Sequence, residues 1–284
     1  MNASLVDEQI KILSKQLKIP TFANYSELIR RAAPDSNIGD ILLMLMKAEY
    51  EQRQWNQNQR RLKQAGFPFT KTLDELDLSR YSGEISEIFV NELASCKFIT
   101  EHRNITMLGN PGRGKTHMAI GLGLKACSSG MSVLFKNAAS LSTELSEARD
   151  NYGLGRLEKK IQRADLLILD EMGYVSFDRY QSELLFKIIA DRSERGSIIV
   201  ATNLPFSEWT TLFKIIADRS ERGSIIITTN LPFSEWTTLF ENTAMVAAMI
   251  DRLTFQSYVL DMNGESYRLS QTKKGRKKGG SHSN

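Results

Sequence analysis

One octapeptide restricts the folds open to this chain more than any other feature. Residues 109–116 read GNPGRGKT and match the pattern G-x-x-x-x-G-K-[ST] at every fixed position. An apolar run at 105–108 precedes the octapeptide, and a helical pattern follows from Lys115. A strand, a glycine-rich loop and a helix in this order form the phosphate-binding loop (P-loop) of α/β proteins. We therefore predict a P-loop nucleotide-binding domain built on a parallel sheet.

The P-loop motif predicts which residues bind ATP. Backbone N–H groups of the loop surround the phosphates, a lysine contacts the terminal phosphates, and a hydroxyl binds Mg²⁺. These roles fall to Lys115 and Thr116, with Thr116 as a metal ligand. A glycine-rich turn that arose by chance is the alternative, and the flanking strand and helix argue against it. The predicted ATP-binding residues are Gly109, Asn110, Pro111, Gly112, Arg113, Gly114, Lys115 and Thr116.

A second motif predicts hydrolysis. Residues 166–171 read LLILDE, an apolar strand that ends in two acids 55 residues after Lys115. In P-loop enzymes such a strand ends beside the phosphates. Asp170 is then expected to hold Mg²⁺, and Glu171 to act as the general base toward the attacking water. The alternative is a strand that simply ends in solvated acids. The spacing to the P-loop favours the catalytic interpretation.

A 27-residue segment occurs twice in tandem, at 185–211 and 212–238, and the copies differ at only two positions. Each copy contains a strand pattern that ends in Thr-Asn, which makes Asn203 and Asn230 candidate sensors of the γ-phosphate. An asparagine that caps a turn is the alternative. Spacing from Asp170 favours Asn203, whereas continuity with the downstream helix favours Asn230, so the choice stays open. A surplus copy that looped out would expose an apolar helix and a strand.

The rest of the chain divides into a helical part and an α/β part. Helices are predicted at 5–17, 26–33 and 40–64, and the break at 66–68 is the predicted domain boundary. After it, strands are predicted at 105–108, 133–136, 166–169, in a run ending at Asn203 or Asn230, and at 257–261, with helices at 86–100, 115–127, 140–151 and 179–195. We expect domains at 1–68 and 69–269 and a basic disordered tail at 270–284.

Composition indicates where the protein is located and the state of its cysteines. The chain has 284 residues, is 41% hydrophobic, and contains no unbroken apolar run that approaches the roughly 20 residues of a membrane span. No signal peptide is evident, so the cytoplasm is the expected location. Cys96 and Cys127 have no ligand spacing around them and are predicted to be reduced, packed thiols.

A basic stretch in the third predicted helix suits a polyanion such as DNA. No acid occurs between Gln52 and Leu73. A solvated helix face is the alternative, and Trp55 in the same stretch is expected to pack inside the N-terminal domain. The predicted DNA-binding residues are Arg53, Arg60, Arg61 and Lys63.

Four tracts together resemble a known family. They are AEYEQRQWNQNQRRLKQAGFP, GNPGRGKTH, LLILDEMGY, and TNLPFSEW followed by DRLTFQSYVLDMNGESYRL. They are similar to the IstB-like transposition helper ATPases, which are AAA+ proteins related to the DnaC-type helicase loaders. The resemblance implies an AAA+ core preceded by a small all-α domain that engages double-stranded DNA. It also implies a homo-oligomer on target DNA, a partner transposase, and Arg252 as the arginine finger.

Three alternatives remain open at this point. The first is a DnaC-like helicase loader, which has the same chemistry and a replicative helicase as its partner. The second is a nucleotide-binding scaffold whose hydrolysis is impaired because the second copy displaces the sensor or the finger. A metabolite kinase is a distant third, since Glu171 favours water as the acceptor.

Overall fold

The computed structural model describes residues 3–33, 35–81, 85–101, 103–108, 112–170, 197–201, 225–229 and 257–262. They belong to two compact units, Met1–Arg60 and Arg61–Asn284. The division between Arg60 and Arg61 falls within the helix Ile38–Ala65, so the predicted boundary at 66–68 lies inside the second unit. The predicted helix at 179–195 and the predicted tail lie outside the described residues.

The first unit contains helices joined around a buried carboxylate. Glu49 accepts hydrogen bonds from the backbone N–H and the hydroxyl of Thr21 (3.1 and 2.5 Å) and from Arg53 Nε (2.7 Å). Burial raises the pKa of Glu49, but these hydrogen bonds outweigh burial and hold the pKa below its ordinary value. The helices are α1 Ala3–Gln16, α2 Tyr25–Ile29 and α3 Ile38–Ala65, with a 3₁₀ turn at Pro20–Asn24.

The second unit contains a six-stranded parallel sheet. The strands lie in the order β2-β3-β4-β5-β1-β6. All residues of β3 are buried, as expected for a parallel sheet covered on both faces. The strands are β1 Asn104–Leu108, β2 Val133–Asn137, β3 Leu166–Asp170, β4 Ser197–Ala201, β5 Ile225–Thr229 and β6 Ser257–Asp261. The predicted strands are confirmed, and both repeat copies contribute one.

The helices of the second unit agree with the prediction in part. The single helix predicted at 86–100 is interrupted at Cys96, which has a left-handed backbone (φ 58°). One helix, at 154–162, was not predicted; it is short, and its apolar face consists only of Leu154, Leu157 and Ile161. The helices are α4 Glu87–Ala94, α5 Lys97–Thr100, α6 Lys115–Ser128, α7 Ala138–Asp150 and α8 Leu154–Gln162.

The core lies between the sheet and the helices of this unit. Its largest fully buried side chains are Leu93, Ile105, Met107, Met118, Ile120 and Leu122. Cys96 and Cys127 are buried free thiols, which confirms the prediction. Burial raises the pKa of both thiols to about 11, so neither is a reactive thiolate at neutral pH. Within the described ranges, no helix is long and apolar enough to cross a membrane.

The two repeat strands lie side by side. Ile198 pairs with Ile225, and the pairing continues to Ala201 and Thr228, so each residue lies beside its own counterpart in the other copy. On its outer side β4 pairs with β3, and β5 pairs with β1. The strand of the second copy therefore does not loop out, because the sheet takes it up between β4 and β1. This pairing satisfies backbone groups that a looped-out strand would expose.

Candidate nucleotide-binding site

The P-loop joins β1 to α6 as the motif predicts. Gly112 and Gly114 have φ values of 79° and 90°, in the left-handed region that side chains disfavour. Gly114 is the residue before the first turn of α6, so the N-terminus of the helix opens onto the loop. Gly109, Asn110 and Pro111 lie outside the described residues.

Three predicted site residues meet here although 55 residues separate Lys115 from Asp170. Lys115 and Asp170 are each only 7% exposed. The Thr116 hydroxyl donates to Asp170 Oδ1 at 3.3 Å. Burial lowers the pKa of Lys115 to about 8, with the charge of Asp170 opposing the shift and that of Arg113 adding to it. The result is a buried ammonium group beside a carboxylate and a hydroxyl.

This set of groups fits a magnesium nucleotide. A hydroxyl and a carboxylate side by side are oxygen ligands of the kind that Mg²⁺ prefers. Arg113 Nε is buried and has no hydrogen-bond partner among the residues that the structure describes, which leaves a donor for an anion at the loop. Glu171, Asn203, Asn230 and Arg252 lie outside the described residues, and their roles stay predictions.

The sequence interpretation missed a segment, residues 72–81, that packs against the P-loop. Tyr81 donates its hydroxyl to the carbonyl oxygen of Arg113 (2.7 Å). His117 Nε2 lies 2.7 Å from the carbonyl oxygen of Thr72. His117 is half-buried, and its contact with Thr72 was not predicted. One local signal was available, since Thr72 and Glu75 form a capping box.

The predicted DNA-binding residues do not share one environment. Arg60 and Lys63 are exposed, whereas Arg61 is half-buried. Arg53 is also exposed, but it already has partners within the first unit: its Nη2 donates to the carbonyl oxygen of Lys18 at 2.5 Å, and its Nε pairs with Glu49. Trp55 is 59% exposed, so the expectation that it packs within this domain was wrong.

The lowered pKa of Lys115 leads to a prediction on pH. Bound phosphate favours the ammonium form, so binding above pH 8 must add a proton to the neutral amine of the free protein. We expect uptake near zero at pH 7 and approaching roughly one proton at pH 9, with affinity falling above pH 8. Titration calorimetry with Mg-ADP in two buffers of different ionisation enthalpy measures this uptake. Lys115→Arg, charged at both pH values, should show none; equal uptake at both pH values in the unmodified protein contradicts the prediction.

Taken together, the parallel sheet, the glycine loop and the buried Lys115–Thr116–Asp170 cluster define a P-loop nucleotide-binding protein. The chain belongs to the family of IstB-like ATP binding proteins, whose family model matches residues 12–214 and 210–275. The two matched stretches overlap at the junction of the repeat copies, as expected if the family needs the duplicated unit once.

Sequence relatives agree with this assignment. An insertion sequence IS21 ATP-binding protein from Pseudomonas aeruginosa is 32% identical over 268 residues, which is 94% of this chain and 91% of that protein. An insertion sequence IS5376 ATP-binding protein from Geobacillus stearothermophilus is 30% identical over 269 residues, covering 93% and 95% of the two chains.

Solved structures show weaker similarity. AMPPCP-bound DnaA from Aquifex aeolicus is 16% identical with a TM-score of 0.44, covering 77% of this chain and 57% of that one. A DnaC helicase loader is 16% identical with a TM-score of 0.41, covering 74% and 98%. The family assignment rests on the family model and on the sequence relatives.

Proposed function

We propose that this protein is an ATP-dependent DNA-binding helper of transposition, which oligomerises on target DNA and regulates a partner transposase. The observation that carries the ATPase part is the buried cluster of Lys115, Thr116 and Asp170 at the end of the P-loop. Membership of the family and the insertion-sequence origin of its relatives support the transposition part. Both proposed ligands, ATP and DNA, occur in the cytoplasm, and we propose that the protein is located there.

The residues of the site divide the chemistry between them. Lys115 and the loop N–H groups bind the terminal phosphates; the Thr116 hydroxyl and the Asp170 carboxylate would hold Mg²⁺, which would neutralise phosphate charge. Glu171 orients the attacking water and accepts its proton. The oxygen of that water bonds to the γ-phosphorus while the bond to the bridging oxygen breaks, and ADP and phosphate leave. Arg252 completes the site of a neighbouring subunit, which makes the working form a homo-oligomer.

The register of the sheet supports Asn230 as the sensor. Thr229, the residue before Asn230, pairs with Leu108, the residue before the P-loop. The other copy follows β4, whose Val200 pairs with Leu169 of β3. We therefore propose that Asn230 orients the water near the γ-phosphate, while Asn203 follows the strand next to Asp170.

The DNA interface is proposed on the N-terminal domain at 1–68. On helix α3, Arg53, Arg60 and Lys63 are exposed and Arg61 is half-buried. Cationic side chains on one helix bind DNA mainly through phosphates, so we expect sequence-independent and salt-sensitive affinity for double-stranded DNA. The basic residues after Gln271 are expected to add to this affinity.

Steady-state ATP hydrolysis with and without duplex DNA tests the proposal. We expect turnover that duplex DNA stimulates and that Glu171→Gln abolishes, because the variant binds Mg-ATP but lacks the general base. Nucleotide binding measured on both proteins provides the control. If the unmodified protein binds ATP without turnover, the nucleotide-dependent scaffold replaces the ATPase.

The partner is tested separately. The alternative is a DnaC-like helicase loader, and its proposed chemistry is the same. A pull-down with purified transposase and replicative helicase in competition separates the two, with transposase expected to be captured. Preferential capture of the helicase would overturn the transposition proposal and leave the ATPase proposal intact.

A further inference from the structure

The peptide that joins Arg113 to Gly114 in the P-loop is held by a side chain from outside the loop. The carbonyl oxygen of Arg113 accepts a hydrogen bond of 2.7 Å from the Tyr81 hydroxyl. This peptide is trans, like every other peptide among the described residues. In a trans peptide the C=O and the N–H of the same unit point in opposite directions. The hydrogen bond from Tyr81 therefore fixes the Gly114 N–H so that it points away from Tyr81.

The packing around the peptide is tight as well as polar. A Cβ added to Gly114 would lie 2.7 Å from Tyr81 Oη and 3.3 Å from Leu76 Cδ1. Gly114 also has φ 90°, so both its conformation and the space around it require glycine. Burial raises the pKa of Tyr81 to about 12, which keeps its hydroxyl protonated and able to donate at neutral pH.

The 72–81 segment that carries Tyr81 is itself anchored to the P-loop helix. The Thr72 carbonyl contacts His117, one residue after the predicted metal ligand Thr116. A turn further along α6, a Cβ on Gly121 would meet Leu73 Cδ2 at 2.5 Å, so the helix and the segment are in close contact there. Leu73 and Leu76 are buried in the core. The 72–81 segment, packed against α6 and the core, therefore holds Tyr81 next to the loop.

We propose that Tyr81 is a positioning residue for anion binding by the P-loop. Its hydroxyl holds the Arg113–Gly114 peptide in the orientation in which the Gly114 N–H is available to a phosphate oxygen. The inference rests on the proposed function only in requiring that the loop binds a nucleotide. It does not depend on hydrolysis, on DNA or on a transposase. Without the hydroxyl, the peptide is free to rotate, and one phosphate donor is lost for part of the time.

The test compares two tyrosine-to-phenylalanine variants. Tyr81→Phe removes the hydroxyl that contacts the loop and keeps the ring that packs against the core. Tyr258→Phe is the matched control, because the Tyr258 hydroxyl also donates a hydrogen bond, to Glu92 at 2.8 Å. Tyr258 pairs with Ile105, toward the end of β1 that is remote from the P-loop. The probes are Mg-ADP and a non-hydrolysable ATP analogue.

We expect Tyr81→Phe to lower the affinity for both nucleotides about five- to tenfold, which is the loss typical of one hydrogen bond. The affinities of Tyr258→Phe should equal those of the unmodified protein. The melting temperatures of the two nucleotide-free variants should be similar. Hydrogen exchange of the peptide covering 112–117 gives a second measurement, and it should be faster only in Tyr81→Phe. A purely structural role would lower the melting temperature without a specific loss of affinity.

Each outcome has a definite meaning. If Tyr81→Phe has the same nucleotide affinity and the same hydrogen exchange as the unmodified protein, the positioning role is overturned, while nucleotide binding stays established. Equal losses in both variants would also overturn it, since the effect would then be general destabilisation. A failure of the unmodified protein to bind either nucleotide would overturn the proposed function, and this inference with it.

Discussion

Replacing Lys115 with alanine is expected to weaken the binding of Mg-ADP and Mg-ATP by roughly 100-fold. Hydrogen bonds to charged groups contribute about 1.5–3 kcal/mol, and each 1.4 kcal/mol is a factor of ten in affinity. Lys115 is buried at the first turn of α6 next to Asp170, where water screens its charge little. Turnover should be undetectable at nucleotide concentrations that saturate the unmodified protein. Titration calorimetry and a steady-state hydrolysis assay measure the two effects.

Lys125→Ala is the matched control for this experiment. Lys125 lies on the same helix, near its other end, and is exposed. Its removal should leave affinity and turnover within about twofold, because exposed charges contribute little. Melting temperatures of both variants are needed, since Lys115→Ala also leaves Asp170 without its cationic neighbour. Nucleotide affinity that survives in Lys115→Ala would place the binding site elsewhere.

Deleting the second repeat copy, residues 212–238, is expected to raise ATP turnover about tenfold. The sheet now has two strands, β4 and β5, between the P-loop strand β1 and the acid-bearing strand β3. Lys115, Thr116 and Asp170 already meet in this sheet, so the deletion acts mainly on the position of the sensor asparagine. The single remaining asparagine then follows a strand that contacts both β1 and β3. Small displacements of catalytic groups change rates by one to two orders of magnitude.

The shortened chain should still fold in one cooperative transition and bind ADP with an affinity within about twofold of the full chain. The remaining repeat strand can pair with β3 on one side and with β1 on the other, because the two copies are almost identical. Thermal unfolding and calorimetry check both points.

Deletion of residues 185–211 is the control, since that product differs from the first only at the positions of Val200/Ile227 and Ala201/Thr228. Both products should behave alike if the number of strands sets the rate. Turnover equal to that of the full chain would show that the six-stranded sheet supports full activity, and the impaired scaffold would lose its rationale.

The parts predicted well from sequence were those with a strong local pattern. The octapeptide, the apolar strand ending in Asp170 and the four other predicted strands all depend on short-range order that the chain itself displays. Helix α6 was predicted to within one residue, because the P-loop fixes its start and Gly130, with φ 92°, follows its C-cap. The short helix α8 lacked such a signal.

The contacts that the sequence could not give are those between distant segments. Nothing in the run around Tyr81 indicates that its hydroxyl reaches a carbonyl 32 residues further along. The same is true of His117 and Thr72. The pairing of β4 with β5 depends on the whole sheet, so neither copy alone could indicate which strand lies next to the P-loop strand. Trp55 shows the reverse error, because its residue type suggested a packed environment whereas its side chain is 59% exposed.

The side-by-side pairing of the two copies also has an evolutionary meaning. The duplicated segment contains one strand and a connection long enough to return to the same edge of the sheet. The second strand therefore runs in the same direction as the first, and a parallel sheet can include both. The two differences between the copies, Val200/Ile227 and Ala201/Thr228, are neighbouring cross-strand pairs. Divergence has therefore begun where the copies touch. Selection can therefore change the sequence of one of the two paired strands while the other strand keeps the original sequence and the sheet keeps its fold.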